Sequence, residues 1–308
     1  MTLRDLLTIA SAISSASMEI SSVFLFCIGL AVGSFINVLS LRYDPDRPIF
    51  SRLASGGRSR CMHCDRALRW FELIPLLSFL VLFGRCRTCR GRLSLQYPVV
   101  ELVTGLTTAF IPIRLFQIHL FDIRLPGFHL WFYLVSAAFI LAAFTMIFLS
   151  AVDARLKLIP DQSNLLIVFL GLCLTVGIFL GKMPGGSFLD HYALMFGFQD
   201  NVLINRLIGA LFGLLFFGAI VYFTRGRGMG LGDVKLAGAL GLLLGWPDIA
   251  LTAFLAFILG ALSGILLLIR RTKTMQSVLP FGPFIVLGAF LVFFYGSSLM
   301  RLYFTLFP

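Results

Sequence analysis

The chain has 308 residues, of which 59% are hydrophobic and only 13% are charged, and its mean hydropathy is +0.97. An ordinary soluble domain contains about 45–50% apolar residues even when glycine is counted. The composition therefore excludes a soluble globular protein and a disordered one, and it indicates that the length is used for membrane spans. The net charge of +11 needs a separate explanation, which depends on where the basic residues lie.

Eight segments are predicted to span a membrane, because each is an apolar run with few or no charges. Five are clear, and three are weaker because they contain a charge near one end or are short. The first run is too long for a cleavable signal peptide and lacks its basic flank, so it is predicted to be a span. We therefore expect an all-α polytopic membrane protein with about eight transmembrane helices, at 20–41, 98–113, 130–152, 164–181, 202–223, 236–247, 249–269 and 281–300.

The basic residues are concentrated in alternate connections between these spans, namely 42–97, 153–163, 224–235 and 270–280. These four connections carry 19 of the 25 Lys and Arg residues. The positive-inside rule places them in the cytoplasm and both termini outside. The charge is therefore interpreted as a topology signal that also favours contact with membrane lipids, and a nucleic-acid partner is not expected.

Residues 42–97 form the one long connection, which predicts a small cytoplasmic insert between the first and second spans. An insert of this size cannot bury a large core, so an additional link is expected. Two Cys-x-x-Cys pairs allow four thiolates to surround one ion, and such a closed set favours structural zinc. Two disulfides are disfavoured in a reducing compartment, and a redox dithiol is the other alternative. The four cysteines are Cys61, Cys64, Cys86 and Cys89.

An apolar stretch from Leu73 to Phe83 lies between the two cysteine pairs and is too short to cross a bilayer. Its aromatic and basic surroundings are typical of a segment in the membrane interface. The alternative is that the stretch forms the core of the metal-binding insert. The sequence leaves both interpretations open.

Two aspartates stand at the predicted cytoplasmic ends of different spans. Asp153 directly follows the third span, and Asp233 lies in the glycine-rich stretch 228–236 at the start of the sixth. Ionisable groups at the edge of a bilayer are costly and usually functional. If helix packing brings the two carboxylates together, they would share one proton, and the pair could activate water as aspartic proteases do.

The alternative for each of these aspartates is a helix cap or an ion pair with a nearby cation. The nearby cations are Arg155, Lys157 and Lys235. Asp161 follows a proline and precedes the fourth span, so it is interpreted as a turn or helix-capping residue.

Eight short motifs follow one another between about residues 25 and 290. In this order they resemble the bacterial type IV prepilin peptidases, a family of Gly-x-Gly-Asp membrane aspartic proteases that also have N-methyltransferase activity. The motifs are Gly33-Ser-Phe-Ile-Asn-Val38 with Arg42, the two cysteine pairs, Ile74-Pro-Leu-Leu-Ser78, Gly84-Arg-Cys-Arg-Thr-Cys89, Tyr97-Pro-Val-Val-Glu101, Asp153 through Asp161, Gly228 through Leu236, and Pro280-Phe-Gly-Pro-Phe284.

The resemblance implies an enzyme of the bacterial inner membrane whose active site faces the cytoplasm. Such an enzyme removes the basic leader from type IV prepilins and type II secretion pseudopilins, and it methylates the new N-terminal amine with S-adenosylmethionine. The catalytic pair of the family corresponds to Asp153 and Asp233, and its cysteine tetrad corresponds to the four cysteines named above. Glu101 is a candidate for positioning an amine or the cationic methyl donor, and an ion pair with an arginine of the insert is the alternative.

The expected domain organisation has three parts. Residues 1–41 are the outer N-terminus and first span, 42–97 are the cytoplasmic insert associated with methyl transfer, and 98–308 are a seven-helix peptidase membrane domain. Two other functions remain open. A general intramembrane Gly-x-Gly-Asp protease would cut inside a substrate's span, although the cysteine insert argues against it, and a small proton- or cation-coupled transporter would use the same aspartates without catalysis. The sequence does not fix the oligomeric state.

Overall fold

The computed structural model of the chain describes residues 3–46, 59–118, 128–181, 186–270 and 279–306. These residues are mainly helical, and the described part contains only isolated β-bridges and no strand. The expected all-α fold is therefore confirmed. The α-helices within the described residues are α1 (Leu3–Arg42), α2 (Leu77–Val81), α3 (Gln96–Gln117), α4 (Phe128–Leu156), α5 (Asp161–Leu180), α6 (Val202–Thr224), α7 (Leu231–Leu244), α8 (Asp248–Ile269) and α9 (Gly282–Leu306).

Seven of these helices are long and apolar enough to cross a membrane: α1 over Ser21–Arg42, α3, α4 over Leu130–Leu156, α5, α6, α8 and α9. They match seven of the eight predicted spans, so a multi-pass membrane protein is confirmed. The eighth prediction corresponds to α7, which occupies Leu231–Leu244 rather than 236–247. Its 14 residues extend about 21 Å, which is less than the hydrocarbon thickness of about 30 Å.

The chain divides into two compact units, 1–113 and 114–308. In the first unit, α1 and α3 approach closely at glycines. A Cβ atom added to Gly33 would lie 2.8 Å from the Glu101 Cα atom, and one added to Gly29 would lie 2.7 Å from the Thr104 carbonyl oxygen. Helix backbones in membranes pack closely at such small residues, and the described part of the insert belongs to this unit.

In the second unit, α7 is enclosed by other helices. Nine of its 14 residues are buried, and it packs against α6 through glycines on both helices. A Cβ atom on Gly209 would lie 2.5 Å from the Gly241 carbonyl oxygen, and one on Gly213 would contact the Ala237 carbonyl. Since protein surrounds α7, its length does not have to match the bilayer thickness.

Polar side chains satisfy the C-terminal end of α7. The buried Arg206 guanidinium donates to the Leu243 carbonyl oxygen. The Asn205 amide group donates to the Trp246 carbonyl at 2.5 Å, and its oxygen accepts the Trp246 N–H at 3.2 Å. Backbone groups freed at a helix end inside a membrane need such partners, so α7 is held at both ends.

The α6–α7 contact yields a prediction about stability. Replacing Gly209 with alanine should lower the thermal unfolding temperature, because the new methyl group would collide with a backbone carbonyl that cannot rotate away. Forced overpacking of this kind typically costs about 1–3 kcal/mol. The matched control is Gly218→Ala in the same helix, where the nearest atom would be Val234 Cγ1 at 3.9 Å. Equal unfolding temperatures of the two purified variants would contradict the packing account.

Candidate active site and metal centre

Asp153 lies near the C-terminal end of α4, where it is only 4% exposed. Its Oδ2 atom accepts a hydrogen bond of 3.0 Å from the backbone N–H of Gly282, the first residue of α9. N–H groups in the first turn of a helix have no partner within the helix and favour a negative charge. The start of α9 therefore holds and stabilises the Asp153 carboxylate.

Asp233 is the third residue of α7 and is 8% exposed. Its Oδ2 atom accepts the Gly230 N–H at 3.2 Å, so Asp233 caps its own helix, as one alternative predicted. The Asp153 carboxylate also acts electrostatically on Asp233. The two aspartates predicted to meet therefore lie within electrostatic reach of each other, at the ends of different helices.

Ile159, in the connection between α4 and α5, holds this arrangement together. A Cβ atom on Gly232 would lie 3.2 Å from the Ile159 Cβ, and one on Gly282 would lie 3.3 Å from the Ile159 Cδ1. Ile159 thus fills the space between the starts of α7 and α9. Because neither glycine has a side chain, both aspartate-bearing helix ends approach the same apolar residue.

Asp161 has a different environment from the other two aspartates. It is the first residue of α5, and its exposed carboxylate pairs with Lys235 Nζ at 2.7 Å. Lys235 was one of the cations considered as a partner for the buried aspartates, and this ion pair engages it elsewhere. The pair also shows that α5 and α7 begin at the same end of the unit.

Asn164 was not singled out by the sequence, although it is a polar residue near the start of an apolar helix. It is 5% exposed, and neither atom of its amide group has a hydrogen-bond partner among the described residues. It lies seven residues before Gly171, which packs on Leu242 of α7, so it faces α7 about one helical turn from the level of Asp233. A buried amide without a protein partner is a site for a water molecule or a polar substrate group.

The insert contains two cysteine knuckles with the same backbone hydrogen bonds. In the first, the N–H of Cys61 donates to the Arg66 carbonyl at 3.0 Å and the N–H of Asp65 donates to the Cys61 carbonyl at 2.9 Å. The second knuckle repeats both bonds 25 residues later, from Cys86 to Gly91 and from Arg90 to Cys86, each at 2.9 Å. The knuckle is therefore a duplicated unit, and each copy presents two thiols.

The four thiols converge on one point. All four Sγ atoms lie within 4.8 Å of one another, and the Sγ atoms of Cys61 and Cys89 are 3.8 Å apart. Sulfur atoms about 2.3 Å from a tetrahedral zinc ion would be about 3.8 Å apart. The cluster therefore fits a four-coordinate metal ion.

Two further observations concern the thiol cluster. Backbone N–H groups of Cys89 and Thr88 lower the pKa of the Cys86 thiol to about 6, which favours the thiolate that binds metals. His63, considered as a substitute ligand, contacts the Arg92 carbonyl oxygen through Nε2 at 3.1 Å. The candidate ligands are therefore the four cysteines.

Glu101 is buried in α3, with 6% of its surface exposed. Its Oε2 atom accepts the Leu76 N–H at 2.8 Å, and its carboxylate also accepts a hydrogen bond from the Ser34 side chain. Both partners are uncharged, unlike the arginine of the insert that was the alternative. Glu101 is thus a carboxylate held near the membrane surface by neutral donors.

Comparisons with known proteins match most of the chain. One family model, described as the bacterial peptidase A24 N-terminal domain, matches residues 27–115, and another, described as the type IV leader peptidase family, matches residues 139–265. Relatives named prepilin leader peptidase/N-methyltransferase include those of Aeromonas hydrophila, 31% identical over 92% of this chain and 93% of the relative, and Bacillus subtilis, 33% identical over 91% and 96%. The corresponding protein of Pseudomonas aeruginosa is 27% identical over 91% of this chain and 93% of its own length. No solved structure gives a significant match.

The helical membrane fold and these matches define the class of the protein as a multi-pass membrane peptidase of bacteria. Within that class, the chain belongs to the type IV leader peptidase family. The resemblance that the eight motifs indicated is therefore confirmed.

Proposed function

We propose that the protein removes the basic leader peptide from type IV prepilins and type II secretion pseudopilins and then methylates the new N-terminal amine. The relatives' names support both activities. The observation that carries the peptidase assignment is the meeting of Asp153 and Asp233, which are both buried and each held by a backbone N–H.

In the proposed reaction, the two carboxylates share one proton because they are close together and poorly solvated. The ionised carboxylate takes a proton from water as the water oxygen attacks the scissile carbonyl carbon, and the protonated one gives its proton to the carbonyl oxygen. The carbon–nitrogen bond then breaks, and the leaving nitrogen takes up a proton. The products are the free leader and a mature pilin with a new N-terminal amine.

The proposed orientation places the aspartates at the cytoplasmic face of the bacterial inner membrane. The argument is the concentration of 19 of the 25 Lys and Arg residues in the connections at that end of the spans. A basic leader would be retained in the cytoplasm on the same rule, while the apolar stem of the prepilin would lie in the membrane. The scissile bond between leader and stem then reaches the level of the two carboxylates.

Methyl transfer is assigned to the N-terminal part of the chain, with the insert 42–97 as the associated region and 98–308 as the peptidase domain. Residues 47–58 of the insert lie outside the described part. The methyl group comes from S-adenosylmethionine as co-substrate. Glu101 is the candidate for holding a cationic group, since it is a buried carboxylate whose partners are neutral.

The test is incubation of the purified protein with a prepilin and S-adenosylmethionine, followed by mass spectrometry of the pilin. We expect loss of the leader together with the gain of one methyl group. An uncut prepilin would contradict the whole proposal. A shortened but unmethylated pilin would contradict only the methyltransferase assignment.

Zinc is the proposed metal of the cysteine tetrad, where it would link the two knuckles of a small insert. Elemental analysis should find about one zinc ion per chain. The Cys86→Ser variant should lose most of this zinc, because an uncharged hydroxyl replaces a thiolate, and its insert should become sensitive to protease.

The matched control is Cys173→Ser, since Cys173 is a free and exposed cysteine of α5 outside the tetrad. This variant should keep the zinc content of the unmodified protein. Equal zinc content in Cys86→Ser and Cys173→Ser, or a zinc-free protein with a protease-resistant insert, would overturn the assignment.

A further inference from the structure

The segment between the two knuckles, residues 70–83, exposes most of its apolar side chains. It consists of a 3-10 turn (Trp70–Leu73) and the short helix α2, none of whose residues is buried. Exposed fractions are 79% for Trp70, 67% for Leu80, 66% for Val81 and 88% for Phe83. The segment is therefore not the core of the metal-binding insert, which was one of the two interpretations open from the sequence.

One contact fixes where this segment lies relative to the membrane. The Leu76 N–H donates to the Glu101 carboxylate at 2.8 Å, and Glu101 is five residues into α3, a candidate membrane span from Gln96 to Gln117. Five residues correspond to about 7–8 Å along the helix. Since α2 begins at the next residue after Leu76, the segment lies at the depth of the first turns of a spanning helix.

The charges around the segment are positive. Glu72 is buried between the Arg69 N–H at 2.7 Å and the Arg66 guanidinium at 2.6 Å. Burial raises the pKa of Glu72, but these hydrogen bonds outweigh it and lower the pKa overall. Its charge is thus neutralised, whereas Arg69, Arg85, Arg87 and Arg90 are exposed, and Arg87 lies 5.5 Å from the centre of the Phe71 ring.

From these observations we infer that residues 70–83 insert into the headgroup and upper acyl region of the membrane, against anionic lipid. Trp70, Leu80 and Phe83 lie in the apolar layer, and the exposed arginines meet lipid phosphates. Aromatic and basic side chains together suit this layer. The insert is then attached to the bilayer at its midpoint as well as through α1 and α3, which keeps the cysteine knuckles on the membrane surface. The basic leader of a substrate would be repelled by the same arginines.

Depth-dependent fluorescence quenching tests this inference independently of catalysis. Trp131 and Trp246 are replaced with phenylalanine so that Trp70 is the one remaining tryptophan. The protein is reconstituted in phosphatidylcholine vesicles with and without phosphatidylglycerol, and carrying brominated lipids. We expect strong Trp70 quenching by lipids brominated near the headgroup, several-fold protection from aqueous acrylamide, and stronger lipid quenching with phosphatidylglycerol.

A variant with Leu80→Asp and Phe83→Asp should lose this lipid quenching. The matched control is Met62→Asp, which changes a residue of the first knuckle that is 75% exposed and should leave the quenching unchanged. Size-exclusion profiles and circular dichroism show whether each variant is folded. Full acrylamide access to Trp70 in folded, reconstituted protein overturns the inference, and so does protection that appears only when a prepilin is added. Equal lipid quenching with and without phosphatidylglycerol overturns its anionic-lipid part.

Discussion

Replacing either Asp153 or Asp233 with asparagine is expected to lower the rate of leader removal by about 1000-fold or more, because an amide can neither accept the proton of water nor carry the shared proton. The amide keeps the size of the carboxyl group, and its oxygen can still accept the N–H of Gly282 or Gly230. The fold should therefore be retained. The rate is measured with purified variants and a prepilin, and folding by thermal unfolding.

The control for this pair is Asp161→Asn. Asp161 lies in the same region and is also an aspartate of a family motif, but it is exposed and paired with Lys235. Its replacement removes a surface ion pair, which contributes about 1 kcal/mol at most, so cleavage should stay within a few-fold of the unmodified rate. Full activity of Asp153→Asn or Asp233→Asn, or a loss in Asp161→Asn equal to theirs, would contradict the assignment of the pair.

The variant Gly282→Ala is expected to lower kcat for cleavage by about 10- to 100-fold. A Cβ atom at this position would lie 2.7 Å from the Asp153 Oδ2 atom and 3.3 Å from the Ile159 Cδ1. The carboxylate or the start of α9 must then move, and displacing a catalytic group by about 1 Å can cost 100-fold. The measurements are kcat and KM with a prepilin, since displacement of the carboxylate should act mainly on kcat.

Gly264→Ala is the matched control, because a Cβ atom there would meet nothing within 4 Å. It should leave kcat and the unfolding temperature unchanged. If Gly282→Ala cleaves as fast as Gly264→Ala, the start of α9 does not set the position of Asp153. If Gly282→Ala loses activity only by unfolding, the positioning argument is equally wrong.

Most of the helical architecture follows from hydropathy, because seven helices are each long and apolar enough to be recognised alone. The short helix α7 was predicted at 236–247 but begins at Leu231, since Gly230 and Asp233 form a cap that hydropathy does not register. Its end at Leu244 depends on polar groups from α6, which are distant in sequence.

The two aspartates could be selected from the sequence because acidic residues at span ends are rare in so apolar a chain. Their mutual approach could not be predicted, since it depends on Ile159 packing at Gly232 and Gly282. Gly282 lies in the Pro280-Phe-Gly-Pro-Phe284 motif, so a signal was present, but spacing gives no reason for its role. The same holds for Asn164, whose missing partners are visible only once the helices are packed.

The cysteine tetrad was the easiest site to predict, because paired Cys-x-x-Cys turns have few other uses in a reducing compartment. The 25-residue repeat of the knuckle is also readable in the sequence, where Arg60, Cys61 and Leu68 recur as Arg85, Cys86 and Leu93. The apolar segment between the knuckles was ambiguous because a short apolar stretch suits both a core and an interface. The exposure of its side chains argues against the core.

The most direct measurement of the central claim is the position of the bond that the purified, reconstituted protein cuts in a full-length prepilin, read by mass spectrometry of both fragments. The account predicts a single cut at the border between the basic leader and the apolar stem, absent in Asp153→Asn and Asp233→Asn. Cleavage within the apolar stem would instead indicate a general intramembrane protease. The absence of any cut by the unmodified protein, or cutting that persists in both asparagine variants, would contradict the account.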